Sequence, residues 1–257
     1  MRIRSQPFPD AAALPYWLWD DDQALKAHPS YRQAKAGEQD AAIDLVWDLA
    51  IDFLSELQAK LPLELTYVAP HAREATGDNA IPLVLASACA EVLHGEVETE
   101  IVQASRVFHT GAKAMERLLL RPQFDGPVTA GTAYVLVDDV TCLGGTLAEL
   151  ADYVQAGGGQ VAAVITLVNA GRLKPLKPEA LVIRRLREKF PDAIHHTFGI
   201  DPGALSANEA SYLSGFRTAD ELRNRAAKAA EEIDLRLRAK GFQLEAQPAP
   251  LNQEGET

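Results

Sequence analysis

Residues 134–147 of the chain, Tyr-Val-Leu-Val-Asp-Asp-Val-Thr-Cys-Leu-Gly-Gly-Thr-Leu, place two acids beside a glycine-containing turn. The acids Asp138 and Asp139 follow a continuous apolar run, which is typical of a strand buried on both faces of a parallel sheet. Carboxylates at the C-terminal end of such a strand lie where open α/β sheets bind ligands. They can accept hydrogen bonds from vicinal sugar hydroxyls and help to hold Mg²⁺ through its water shell or the sugar oxygens. The acid pair therefore predicts a hydroxyl-bearing ligand.

The turn after the acids has the composition of an anion site. A helix is predicted from about residue 146 to residue 155, and the free N–H groups of a helix N-terminus form a ready phosphate site. The turn contains two glycines, Gly144 and Gly145, and the hydroxyls of Thr141 and Thr146. Acids and anion site together fit a sugar 5-phosphate. In the plain structural alternative, the acids end a strand and cap a turn, and the glycines ease the entry to the helix.

The surrounding elements predict an α/β fold that would position this segment. Apolar residues recur at three- and four-residue steps over 41–61, which indicates an amphipathic helix. Further helices are predicted at 81–93, 146–155, 177–189, 206–213 and 218–238, and further strands at 63–69, 96–103 and 160–168. Strand, helix and strand in this order make a βαβ unit, so we expect a parallel sheet flanked by helices.

The flanks of this core are predicted to differ from it. Four prolines interrupt residues 1–38, which we interpret as an irregular arm that packs Trp17 and Trp19 on the main domain. The predicted organisation is an arm or hood at 1–40, an α/β core at 41–170, a helical extension at 171–240 and a disordered tail at 241–257.

Composition restricts the partners of the chain. Its 25 Lys and Arg residues against 36 Asp and Glu residues give a net charge of −11, which argues against a protein that binds nucleic-acid backbones. The sequence is broken by charges too often for a membrane span, and its basic N-terminus continues into Pro7 rather than an apolar signal region. Two cysteines are too few for a disulfide scaffold. We therefore expect a cytoplasmic protein, with a homodimer as the default assembly.

The string Val-Leu-Val-Asp-Asp-Val, three residues, then Gly-Gly-Thr-Leu resembles the phosphoribosyl pyrophosphate (PRPP) motif of type I phosphoribosyltransferases. The order of elements from about residue 63 to residue 168 is also similar to that family. The resemblance implies a Rossmann-like α/β fold with an N-terminal arm and a helical C-terminal extension. It implies an enzyme that transfers the phosphoribosyl group of PRPP to a small nitrogenous, nucleobase-like acceptor, with Mg²⁺ as cofactor.

By position, the resemblance assigns the ribose hydroxyls and Mg²⁺ to Asp138 and Asp139, and the 5-phosphate to residues 141–146. The pyrophosphate falls to the loop Pro70, His71, Ala72 and Arg73, in which Arg73 would be the catalytic cation. Residues 105–132 correspond to the flexible loop that closes over the ligand in the family. The family usually has an aliphatic residue in place of Thr141, and Thr or Ser in place of Cys142 and Leu143. Two side-chain hydroxyls are therefore missing, while the backbone donors are kept.

Two alternatives stay open at this point. A regulatory module could bind PRPP or a nucleotide without transferring the group, and the departures at Cys142 and Leu143 motivate this reading. A receiver-like or phosphatase-like domain could use the acid pair, but would leave the Gly-Gly-Thr turn unexplained. The acceptor cannot be read from the variable hood, which we expect to include the arm and residues Asn169, Arg172 and Lys174.

Overall fold

A computed structural model describes residues 2–72, 79–104 and 113–239. In this part of the chain, five parallel strands form a central sheet in the order β1-β7-β6-β2-β3, and two antiparallel strands form a separate ribbon. The sheet strands are β1 (Tyr16–Trp19), β2 (Thr66–Val68), β3 (Glu96–Glu98), β6 (Ala133–Thr141) and β7 (Gln160–Asn169). The ribbon strands are β4 (Val102–Gln103) and β5 (Phe124–Asp125).

The central strands β6 and β7 form because both are long runs rich in apolar residues, most of them covered on both faces of the sheet. They pair in parallel over most of their length, from Ala133 opposite Gln160 to Thr141 opposite Asn169. The strand with the acids is longer than predicted. Asp138 and Asp139 lie inside β6, which continues to Thr141, rather than after its end.

Helices cover both faces of the sheet. They are α1 (Gln23–Ala27), α2 (Tyr31–Lys35), α3 (Gln39–Leu57), α4 (Ile81–Leu93), α5 (Ala114–Leu119), α6 (Gly145–Ala156), α7 (Ala180–Lys189), α8 (Ala193–Phe198), α9 (Ala207–Ser214) and α10 (Ala219–Ala239). Helices α3 and α4 pack in one apolar cluster with Val135 and Val137, whereas α6 packs with Tyr134 and Leu136 on the other face. The chain is thus wound on both sides of its sheet, as the α/β prediction requires.

The strand order contains a switch point between β2 and β6. The chain leaves β2 through α4 to reach β3 on one side, and leaves β6 through α6 to reach β7 on the other. Ligands of open α/β sheets bind in the crevice that opens at the carboxyl ends of the strands at such a point. The two loops that border the crevice follow β2 and β6.

The prediction of an irregular N-terminal arm is wrong in part. The aromatic run Tyr16–Trp19 forms β1 and pairs in parallel with β7 at the edge of the sheet, with Tyr16 opposite Ile165. Aromatic residues favour strands, and all the prolines of this region except Pro29 precede the run. The next residues form α1 and α2 and lead directly into α3. The parallel sheet therefore extends beyond the predicted core.

The predicted strand at 96–103 divides into β3 and β4. The side chain of Glu98 accepts hydrogen bonds from the backbone N–H groups of Glu100 and Ile101, at 2.6 and 3.4 Å. This local turn ends β3 and sends the chain into the ribbon with β5. Residues 105–112 of the predicted flexible loop and the predicted tail at 241–257 lie outside the described residues. None of the described helices is long and apolar enough to cross a membrane.

Candidate functional site

A cleft of about 830 Å³ opens at the carboxyl edge of the sheet, at the switch point between β2 and β6. Both predicted loops line it: Pro70, His71 and Ala72 after β2, and the whole of 138–147 from β6 into α6. The structure therefore brings the acid pair and the described residues of both predicted loops together in one cleft. Arg73, the predicted catalytic cation, lies outside the described residues.

The two acids at the cleft are consecutive residues of β6, and both line the cleft. Both are nearly buried, with 9% of Asp138 and 4% of Asp139 exposed. The Oδ1 atom of Asp138 accepts a hydrogen bond from the backbone N–H of Asp139 at 2.9 Å, and Oδ1 of Asp139 accepts one from Val140 at the same distance. These bonds hold the acids in place before any ligand arrives.

A lysine from the N-terminal region neutralises one of the acids. Lys35, the last residue of α2, places its Nζ atom 2.6 Å from Oδ2 of Asp139, and Asn79 donates a hydrogen bond of 3.0 Å to the same oxygen. The side-chain oxygen of Asn79 also accepts a hydrogen bond from the N–H of Ile81, the first residue of α4, at 3.3 Å. Lys35 carried no sequence signal, since it lies in the segment predicted as an irregular arm.

These contacts give the two acids different electrostatic surroundings. Burial, together with the neighbouring charge of Asp139, raises the pKa of Asp138 well above its usual range, and the Lys35 ammonium acts against this rise. Burial alone would lower the pKa of Lys35, but the charge of Asp139 and its hydrogen bond to Lys35, with the charge of Asp138 and the neighbouring Tyr31, together outweigh burial and raise that pKa. The arrangement favours a charged Lys35–Asp139 pair beside a carboxyl group that is unusually easy to protonate.

The loop from Thr141 to Thr146 forms the wall of the cleft opposite the β2 loop. Gly144 has a φ of +80°, the left-handed conformation that glycine adopts without strain, and α6 begins directly after it. The first hydrogen bond of the helix runs from the N–H of Ala148 to the carbonyl of Gly144, at 3.0 Å. The amides of the first turn before Ala148 have no helical partner and suit an anion. Cys142 is exposed in this loop.

On the other side of the cleft, His71 is held by the backbone. Its Nδ1 atom lies 3.0 Å from the carbonyl of Ala69 and its Nε2 atom 3.2 Å from that of Thr99. The N–H of Gln103 donates to the carbonyl of His71 at 2.7 Å, which ties the β2 loop to β4. The ring of His71 is therefore committed to structural contacts, although the residue lines the cleft.

Among the described residues, five lysines and arginines line the cleft, and three of them come from the N-terminal helices: Lys26, Arg32, Lys35, Arg117 and Arg121. Lys26 pairs with Asp22, and Arg121 pairs with Glu149, both within 3 Å. Arg32 is exposed at the rim. The cleft of this acidic chain thus has local positive charge.

Two of the three hood residues predicted after β7, Asn169 and Lys174, bind one another, and none of the three, Arg172 included, lines the cleft. The Nδ2 atom of Asn169 donates to the carbonyl of Lys174 at 3.0 Å, and the Lys174 ammonium donates to the carbonyl of Asn169 at 2.7 Å. Lys174 also pairs with Asp20 at 2.6 Å and lies over the ring of Trp17. These contacts fasten the loop after β7 to the N-terminal region.

The donor set at the acids fits Mg²⁺ that arrives with a ligand. Oxygen donors suit this ion, and it usually keeps several waters and binds through one or two carboxylates plus phosphate oxygens. Asp138 and Asp139 provide the carboxylates, but three donors already occupy the oxygens of Asp139. No group of three or more His, Cys, Asp or Glu side chains within the described ranges is arranged as a metal cage.

Comparison with known proteins agrees with this site. Residues 82–203 match the family model described as "Phosphoribosyl transferase domain". The chain is 36% identical to the Protein TraN of Escherichia coli over 217 residues, which cover 81% of this chain and 48% of TraN. It is 40% identical to an uncharacterized protein of Haemophilus influenzae over 132 residues, which cover 50% of this chain and 29% of that protein. The chain thus spans about half or less of the length of these relatives.

Among solved structures, the adenine phosphoribosyltransferase of Thermoanaerobacter pseudethanolicus is 20% identical to this chain. The two align with a TM-score of 0.32 over 49% of this chain and 73% of the other. The family match contains the acids, the glycine turn and the helix that follows them. Residues 82–203 of the chain thus form a domain of the phosphoribosyltransferase family.

Proposed function

We propose that this chain transfers the 5-phosphoribosyl group of PRPP to a small nitrogenous, nucleobase-like acceptor. The observation that carries the proposal is the meeting of the acid pair, the 141–146 loop and the 70–72 loop in one cleft at the switch point of the sheet. Carboxylates for ribose hydroxyls and free amides for a phosphate are the two groups that a ribose 5-phosphate needs.

Each part of the cleft has a role in this proposal. Asp138 and Asp139 accept hydrogen bonds from the ribose hydroxyls, and the amides of the 141–146 loop hold the 5-phosphate. The pyrophosphate lies toward Pro70–Ala72, where Arg73 follows in the sequence. Mg²⁺, held by the ligand and the acids, would neutralise the charge of the pyrophosphate. The exposed Arg32 at the rim is a further candidate for contact with an anionic group.

In the proposed reaction, the bond between C1 of the ribose and the pyrophosphate oxygen breaks, and its electron pair leaves with the pyrophosphate. The lone pair of an acceptor nitrogen forms the new C1–N bond, and a proton on that nitrogen is released. The protein binds both reactants in line, neutralises the leaving group and excludes water from C1.

The direct test is consumption of PRPP in the presence of Mg²⁺ and a panel of purines, pyrimidines and pyridines, followed by mass spectrometry. Release of pyrophosphate together with a phosphoribosylated base is the expected result. Asp139→Asn serves as the site variant, and Asp125→Asn, whose carboxylate lies in the β4–β5 ribbon outside the cleft lining, serves as the matched control. PRPP left unconsumed with every acceptor would refute transfer with these bases.

The second candidate function is a regulatory module that binds PRPP or a nucleotide without transferring the group. Two observations favour it: Cys142 and Leu143 replace the usual hydroxyl residues of the loop, and Lys35 already occupies one of the acids. Calorimetry distinguishes the two functions, because binding of PRPP without turnover supports the regulatory module. Absence of PRPP binding would refute both.

A further inference from the structure

The 141–146 loop is held from behind by a serine of the C-terminal extension. Ser206, the N-cap of α9, donates its hydroxyl proton to the carbonyl of Leu143 at 2.5 Å and accepts a hydrogen bond from the N–H of Glu209 at 3.1 Å. A hydroxyl has one proton, so the contact with the loop uses the whole donor capacity of Ser206. Only 1% of Ser206 is exposed. Ser206 therefore joins the start of α9 to the loop and is shielded from solvent.

A buried ion pair extends this contact to the N-terminal segment. The carboxylate of Glu209 accepts from the backbone N–H of Ser206 at 2.8 Å and from the guanidinium of Arg4 at 2.5 Å. Arg4 is fully buried and also lies 3.3 Å from the carbonyl of Gly145, in the first turn of α6. Its backbone forms hydrogen bonds with Gly199 and Asp201, so Arg4 is held both at its backbone and at its guanidinium group.

Two more charged residues complete the cluster. Glu149 of α6 lies 3.2 Å from Arg4 and 2.8 Å from Arg121, and burial raises the pKa of Glu149 against the effect of these two arginines. The cluster thus balances two arginines with two glutamates. Because ions lose much hydration energy on burial, such a network adds little net stability, and its best attested use is to specify one geometry. Here the geometry that it specifies is the approach of three chain segments to the loop.

The packing leaves no room between this cluster and the glycines of the loop. A Cβ atom on Gly145 would lie 2.8 Å from Oε1 of Glu209, and one on Gly144 would lie 3.3 Å from Cβ of Ser206. The glycines are therefore required by the neighbours as well as by the turn. The loop and the start of α9 fit together as one unit.

We propose that Ser206, supported by Glu209 and Arg4, is the positioning residue of the loop and sets its affinity for a sugar 5-phosphate. The inference rests on the proposed function, because it assumes that the loop binds this phosphate. Donors that are held in place before the ligand arrives lose little entropy on binding. In a loop that lacks two of the usual hydroxyls, the backbone amides supply more of the binding, so their orientation matters more.

The test compares two ligands on the full chain by calorimetry: ribose 5-phosphate, which needs the loop, and pyrophosphate, which is assigned to the opposite side of the cleft. We expect Ser206→Ala to lower the affinity for ribose 5-phosphate about five- to tenfold, which is the effect of one lost hydrogen bond. The affinity for pyrophosphate is expected to change by no more than about twofold. Ser206→Thr keeps the hydroxyl and is expected to restore binding. Ser211→Ala, on the same helix but facing the α7 groove, is the matched control.

A second variant separates the loop contact from the stability of α9. Glycine is nearly as good an N-cap as serine but has no hydroxyl, so Ser206→Gly is expected to fold and still to bind ribose 5-phosphate more weakly. Unchanged ribose 5-phosphate affinity in Ser206→Ala and Ser206→Gly would overturn the inference alone. Equal weakening of both ligands would overturn it too, since that result indicates a merely structural role. A wild-type chain that binds neither ligand would refute the proposed function and this inference with it.

Discussion

Replacement of Lys35 by methionine would remove the positive charge that neutralises Asp139. The Nζ atom lies 2.6 Å from the carboxylate, and methionine keeps most of the apolar stem of the side chain. Asp139 would retain its hydrogen bonds from Asn79 and from the backbone of Val140. The variant therefore tests the charge with little change in packing.

The burial of the two partners determines the expected magnitude. Removal of one partner from a buried pair costs about 3–5 kcal/mol, whereas an exposed pair contributes about 0–1 kcal/mol. The Lys35 side chain is 33% exposed and that of Asp139 5%, so the pair lies between these limits. With two hydrogen bonds left to Asp139, we expect a loss of about 1–2 kcal/mol. A chain of this size loses about 2–4 °C in Tm per kcal/mol, which gives a decrease of about 2–8 °C.

Thermal unfolding at neutral pH measures this loss, and Lys26→Met is the matched control. Lys26 also lines the cleft and pairs with an aspartate, Asp22, at 2.7 Å, but its side chain is 55% exposed. We expect the control to lose no more than about 2 °C. Mg²⁺ is expected to restore part of the Tm of Lys35→Met, because a cation at Asp139 replaces the ammonium. Equal losses in the two variants would refute the reasoning from burial.

Three further predictions concern the loop and its acid. Gly144→Ala and Gly131→Ala impose the same strain, since both glycines have φ of +80°, and each is expected to cost about 1–2 kcal/mol. Only Gly144→Ala is expected to weaken the binding of ribose 5-phosphate, because a Cβ at Gly131 meets nothing within 4 Å. Equal affinities of the two variants in calorimetry would contradict this. A thiol reagent is expected to modify Cys142, which is exposed, before Cys89, whose pKa is raised by burial. Ribose 5-phosphate is expected to protect Cys142, and mass spectrometry would detect a failure to do so. Burial and the charge of a neighbouring carboxylate raise the pKa of Asp138, so this group takes up a proton at a higher pH than an ordinary aspartate. Ligand affinity is therefore expected to fall as the pH is lowered through that range. In a pH titration of ligand affinity, the Asp138→Asn variant is expected to lack this fall. A raised pKa in the folded state also destabilises the fold as pH rises through it, so Asp138→Asn is expected to increase Tm at pH 7, and a lower Tm would contradict this.

The place of the acids and the glycine turn in the fold could be predicted because their signals are local. A buried apolar run, two carboxylates and a glycine turn occur within residues 134–147, and neighbours in sequence are neighbours in the strand and the turn. The same locality explains why α4 was predicted with its observed bounds, Ile81–Leu93. The strand at 96–103 was misjudged because a single side-chain contact, that of Glu98, turns the chain where the alternating pattern continues.

The residues that support the site could not be predicted, because they are distant in sequence. Lys35 reaches Asp139 only after β1 has paired with β7 and α2 has packed beside α3. Ser206 reaches Leu143 across 63 residues, and Arg4 reaches Glu209 across 205. A polar residue in a helix cap or an irregular segment has the same local signal whether or not it serves a site. Only the topology of the sheet decides which of these residues meet.

The origin of the cations explains how a chain with a net charge of −11 can offer a site to an anion as strongly charged as PRPP. Three of the cations in the cleft, Lys26, Arg32 and Lys35, lie in α1 and α2, before the stretch 82–203 that matches the family. Ser206 and Glu209 follow that stretch, and Arg4 precedes it. The alignment with TraN is longer than this stretch, at 217 residues, so it includes part of the flanks. The family segment thus provides the acids, the amides and the cations Arg117 and Arg121, whereas the flanks provide the other three described cations and the support of the loop. The residues that would select the proposed acceptor are therefore to be sought in the flanks as well.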